Sequence, residues 1–198
     1  MTFLRSLMFV LAARRPVAIL AGLALAGPTA MASTAQSDGH AAQFSPIVRA
    51  VRGATRDYLD VNAATAAGYV SVGSCASGPN EGAMGIHYVN EAHIADGHID
   101  VNRPEILVYE QRNGQLQLVA IEFFVLAEQW DAANEGPPIL GGQLFHYLGA
   151  PNRLRAPANY QLHVWAWKEN EHGVFADWNP DVSCAQYAGD TQDHAFAH

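Results

Sequence analysis

Apolar and polar positions change rhythm along this chain, and the rhythm predicts its elements. Ile47, Val51, Ala54, Tyr58 and Val61 recur at the spacing of one helix face, and Arg49, Arg52, Arg56 and Asp60 fall opposite them. Ser45 suits the N-cap, Pro46 the first helical position and Gly68 the stop. The spacing therefore predicts one amphipathic helix from residue 46 to the stop at Gly68, with Arg56 and Asp60 as an i,i+4 pair. Beyond Gly68 the period becomes two. Residues 69–73, 84–90, 105–111, 115–126 and 161–168 alternate and read as strands. Asn113-Gly114 marks a hairpin turn between the third and fourth. The later half of 115–126 is apolar at nearly every position, as expected of a strand buried on both faces. The pattern predicts an α+β fold: an N-terminal amphipathic helix packed on a curved antiparallel sheet or small β-barrel.

Three polar side chains interrupt the strand pattern. His87 shares a face with Gly85 and Val89, Glu122 sits between Ile121 and Phe123, and His163 alternates with Trp165 and Trp167. An unpaired buried polar group costs about 1–3 kcal/mol, and a buried carboxylate needs a salt bridge, a proton or a metal. A fourth residue, His146, lies between Phe145 and Tyr147. Two imidazoles and one carboxylate form a facial ligand set for one divalent transition metal such as iron, manganese or zinc, with positions open for water or substrate. His146 would add a third nitrogen. Three histidines and a glutamate are similar to the set in cupin barrels, but the His-x-His pair followed closely by Glu is absent, so the similarity is one of architecture only.

On this reading His87, His163, Glu122 and His146 are metal-ligand candidates, Glu122 doubles as a candidate general base, and the protein is a candidate metalloenzyme. Two other readings fit the same residues. One is a non-enzymatic binding module for a small apolar or aromatic molecule, with Tyr88, Phe123, Trp165 and Trp167 as cavity walls. The other is a structural protein whose buried His–Glu network fixes the core. No GxSxG, HExxH or phosphate-loop motif is present. His93 and His98 lie in a polar, irregular segment and read as surface residues.

Residues 1–32 read as a signal peptide. Arg5, Arg14 and Arg15 precede an apolar run, Gly27-Pro28 breaks it, and Ala30-Met31-Ala32 has the small-x-small form of a cleavage site. The run is short for a membrane span. The expected order is a signal peptide (1–32), a flexible leader (33–43), a single globular domain (44–184) and a disordered tail (185–198), in a periplasmic or extracellular protein with no stable membrane insertion after cleavage. The formal charge of −8 becomes more negative once the three leader arginines are set aside, and Lys168 is the only lysine. That balance argues against nucleic acid as a partner and favours cations or small molecules. Cys75 and Cys184 are the only cysteines, and in an oxidising compartment they make one disulfide.

The segments 54–58, 68–70, 82–90 (GAMGIHYVN), 103–110 (RPEILVYE), 162–167 (LHVWAW) and 178–184 (WNPDVSC) resemble an uncharacterised family of secreted bacterial proteins. The resemblance spans about residues 45–184. It implies a secreted single-domain protein and brings no activity, cofactor or site residue with it.

Overall fold

A computed structural model describes residues 45–78, 80–152 and 155–193. The expected signal peptide, the leader and residues 194–198 of the tail lie outside the described residues.

The first helix, α1 (Pro46–Thr55), starts where the sequence places it: Ser45 Oγ accepts from Val48 N at 3.3 Å, and Ile47, Val48 and Val51 are buried. It does not run on to Gly68. A 3-10 turn (Arg56–Leu59) follows, and then α2 (Val61–Ala66). Thr55 is buried and its hydroxyl donates back to Val51 O at 2.7 Å. Asp60 accepts from Asn62 N at 2.9 Å and so caps α2, instead of standing in a helix interior four residues after Arg56. Short polar side chains favour such caps over helix interiors.

The main sheet is mixed only at its edge. Its order is β7 (His146–Leu148), β8 (Asn159–Val164), β4 (Gln115–Leu126), β3 (Ile106–Arg112), β2 (Gly82–Val89), β1 (Val70–Gly78) and β9 (Asp190–Asp193). All neighbours are antiparallel except β9, which runs parallel to β1. The sheet curls into a half-barrel. A separate hairpin pairs β5 (Ile139–Leu140) with β6 (Gln143–Leu144). The remaining helices, α3 (Glu91–Asp96) and α4 (Ala127–Asp131), are short. Among the described residues no helix is long and apolar enough to cross a membrane.

Two expectations about strand extent change. Residues 74–78, beyond the end of the expected strand 69–73, extend β1. Within the expected disordered tail, Asp190–Asp193 forms β9, with Cys75 opposite Thr191. The Cys75–Cys184 disulfide holds the chain beside β1 six residues before β9 begins, so pairing there requires little further loop closure.

Sheet register divides the side chains into two sets. Leu107, Tyr109, Ile121, Phe123 and Leu162 join the core cluster that contains Ile47, Val48 and Val51 of α1. The Tyr109 hydroxyl donates to Tyr58 O at 2.6 Å and Trp167 Nε1 donates to Thr55 Oγ1 at 3.0 Å, tying helix to sheet. On the alternate face the ladder runs Val89, Ile106, Glu122, His163 in one row and His87, Val108, Ala120 in the next.

Residues 165–184 strap back across this sheet. Trp165 N donates to Val174 O at 2.8 Å, Asn179 and Ala83 exchange two backbone bonds of 3.1 Å, and Cys184 closes on Cys75. The crossing needs glycine at one point. A Cβ on Gly82, which has φ +79, would lie 2.1 Å from Asn179 O. Buried Glu110 pins the end of the strap by accepting from Lys168 Nζ at 2.7 Å and from Ser183 N at 3.1 Å.

Candidate metal centre

The register rows bring together the three side chains that break the strand pattern. Glu122 and His163 are direct cross-strand partners on β4 and β8. His87 lies one row along and two strands away, and the curl of the sheet carries it over. Val108 and Ala120 occupy the ground between, and neither is large enough to hold the rings apart. Gly85 helps to set this register. Its φ is +118, and a Cβ there would lie 2.6 Å from Tyr109 O on β3.

His87 Nε2 lies 3.5 Å and His163 Nε2 3.7 Å from the same atom, Glu122 Oε2. One donor atom from each of the three residues fits within 4.8 Å of the others. The imidazoles stand edge to face, 6.2 Å apart. With metal–ligand bonds of about 2.0–2.2 Å, donors around a tetrahedral or octahedral ion stand about 2.9–3.6 Å apart. The two imidazole–carboxylate distances match that range to about a tenth of an ångström, and the set as a whole, spread over up to 4.8 Å, would draw together around an ion. Both distances are too long for charge-assisted hydrogen bonds, which run about 2.7–2.9 Å. Among the described residues, both His163 nitrogens are buried without a hydrogen-bond partner.

Asp177, on the strap, stands behind His163. Its Oδ1 is 3.5 Å from His163 Nδ1, an ion-pair approach longer than a well-formed hydrogen bond. Asp177 draws the ring proton to Nδ1 and leaves Nε2 toward Glu122, as carboxylates behind metal-bound histidines do. Burial raises the Glu122 carboxyl above its usual range, His163 pulls it back and Asp177 adds to the rise. Burial acts to lower the His163 ring, but Glu122 and Asp177 outweigh it and hold the ring above its usual value. Asp177 is lowered: burial opposes this, and His163 and His146 override it.

Side-chain exposure grades across the set, from 1% at His163 through 6% at Glu122 to 15% at His87. A cavity of about 330 Å³ opens on all three side chains, with Val89, Ile106, Phe124 and Gln161 among its other walls. The larger cavity, about 720 Å³ beside Asn90 and His93, touches none of the three.

His146 does not join the group. Its pairing with Gln161 puts it on the same sheet face, but on the edge strand β7, where its side chain is 53% exposed and approaches Asp177 at 3.2 Å. The four aromatic residues expected as cavity walls do not line the cavity. Phe123 points to the opposite face by alternation and packs near Phe145. Tyr88 stacks edgewise on Tyr109. The chain leaves strand geometry after Val164, so Trp165 and Trp167 do not continue the His163 face. Trp165 Nε1 donates to Ala176 O at 2.6 Å, and Arg52 lies over the Trp167 ring. His98 is exposed as expected, whereas His93 is half-buried, donating to Pro104 O at 3.0 Å.

Three site neighbours escaped the sequence reading: Asp177, Gln161 and Glu105. Asp177 carried the same signal as Glu122, a lone acid among Val174, Phe175, Ala176 and Trp178. Glu105 is buried, and its Oε2 accepts from Phe124 N at 3.0 Å. Burial pushes its carboxyl up to about 8.

No protein-family profile, curated protein or solved structure matches the chain. The family resemblance therefore gains no support from these comparisons and loses none.

Proposed function

We propose that this protein is a secreted metal-binding protein that holds one divalent transition metal through His87, Glu122 and His163. The observation that carries the reading is the convergence of three donors from three strands, with a buried His163 Nε2 that has no hydrogen-bond partner among the described residues. Three protein ligands would leave positions open for other ligands, and the cavity against all three side chains supports access to them. A metal there would supply Lewis-acid or redox chemistry. Glu122 serves as a ligand, and Asp177 orients His163. Secretion rests on the leader-like residues 1–32 and on the disulfide, which persists in oxidising compartments.

A purely structural Glu122–His163–Asp177 network is the second reading, favoured by the two carboxylates that flank one imidazole. Titration of metal-free protein with Zn²⁺ and Co²⁺ separates the two. The metal reading expects binding near one ion per chain, abolished in His87→Ala and His163→Ala and kept in His146→Ala. Folded wild type that takes up neither ion would leave the structural network.

A further inference from the structure

The walls of the cavity say what kind of molecule would reach the metal. Three of them, Val89, Ile106 and Phe124, are apolar and belong to the ladder that carries the ligands: Ile106 is opposite Glu122, and Phe124 is opposite Gln161. Among the described residues no lysine or arginine lines the cavity. Glu122 and Asp177 already offset a divalent charge, and the chain as a whole is acidic. An anionic ligand would give up its hydration with no second cation to meet it.

One wall is polar in a way the ligand set does not use. Gln161 is a buried residue whose side chain lines the cavity beside His163. Its amide offers both N–H donors and an acceptor oxygen, which a hydroxyl can meet together, whereas an acceptor-only carboxylate meets the donors alone. Gln161 lies two residues before His163 on the same strand face, about 7 Å along β8. The cavity volume, about 330 Å³, is near the lower limit for ligand sites, about 300–1,000 Å³.

We propose, resting on the metal reading, that this cavity takes a small uncharged, single-ring molecule that sets a hydroxyl or carbonyl oxygen on the metal and a hydroxyl on the Gln161 amide. The apolar walls grip the ring, and the lack of cations excludes carboxylates and phosphates.

The test uses the full mature chain loaded with Co²⁺ and reads the visible absorption of the metal during titration. The probes are para-hydroxybenzyl alcohol, para-hydroxybenzoate and para-cresol. The alcohol is expected to perturb the spectrum saturably and to bind at least tenfold more tightly than the carboxylate. Gln161→Leu is expected to weaken the alcohol about tenfold, to leave para-cresol unchanged and to keep one cobalt per chain, which shows the variant folded. Tighter binding of the carboxylate, equal alcohol affinity in Gln161→Leu, or no spectral response to any probe would overturn the proposal and leave the metal reading standing. Failure of wild type to hold cobalt would overturn the metal reading itself, and this proposal with it.

Discussion

Replacing Glu122 by Gln separates a metal site from a structural network, because the two place opposite demands on that carboxylate. In metal-free protein the substitution has two effects of opposite sign. It relieves a buried carboxyl whose ionised form burial disfavours. It also removes one of the two acids beside His163, leaving Asp177 at 3.5 Å as counter-charge. No hydrogen bond is lost, since Glu122 Oε2 meets the two imidazoles only at 3.5 and 3.7 Å. The expected change in metal-free stability is within about 1 kcal/mol. Metal inverts the comparison. An ion at a hundred times its Kd stabilises the wild type by about 2.7 kcal/mol. Glu122→Gln exchanges an anionic donor for a neutral one and forfeits most of that increment. Urea unfolding followed by tryptophan fluorescence, with chelator and with saturating Zn²⁺, gives all four stabilities. A loss of about 3–5 kcal/mol in chelator, the usual cost of breaking a buried ion pair, together with no zinc effect on the wild type, would refute the reasoning.

Further outcomes follow from neighbouring groups. Asp177→Asn should lower zinc affinity by about 10–100-fold while Tm in chelator stays close to wild type, measured by competition with a chelating dye. Glu105 holds its proton to about pH 8 in the folded state but releases it near 4.5 when unfolded. Unfolding between those values therefore releases a proton, and stability falls as pH rises through that window, by up to roughly 4–5 kcal/mol. Glu105→Gln should lose that slope, so the difference between variant and wild-type denaturation midpoints should change across pH 5–8, and parallel curves would contradict it. The Cys75–Cys184 bridge spans a separation of 109 residues. Cys75→Ala with Cys184→Ala should cost about 4–5 kcal/mol by loop entropy and weaken metal binding as well, because the bridge anchors the strap that carries Asp177. Unchanged zinc affinity in the folded double variant would detach the strap from the site.

The sequence made the ligands legible because a polar residue inside an apolar period-two pattern is a local signal. His87, Glu122 and His163 each carried it, and their strands lie in one sheet. What it could not show was register. Pairing of Glu122 with His163, and of both rows through β3, depends on the irregularity between Val108 and Tyr109 in the β3–β4 ladder, on the close approach at Gly85 and on contacts between segments far apart in sequence. His146 gave the same local signal, but β7 is an edge strand, so its side chain faces water and Asp177. Trp165 and Trp167 were misplaced because alternation was extrapolated past Val164, where Ala166 N turns back to Val164 O at 2.8 Å. The helix broke at Thr55 and Asp60 because short side chains there bond the backbone, a competition that the apolar period alone does not reveal.

The most direct measurement is metal content by mass spectrometry of the wild-type chain, exported to its own compartment and purified without affinity tag or chelator, beside His87→Ala and His163→Ala. Near-stoichiometric transition metal in the wild type and its absence from both variants is the expected result. A folded wild-type protein carrying no metal, with both variants equally destabilised, would contradict the metal centre.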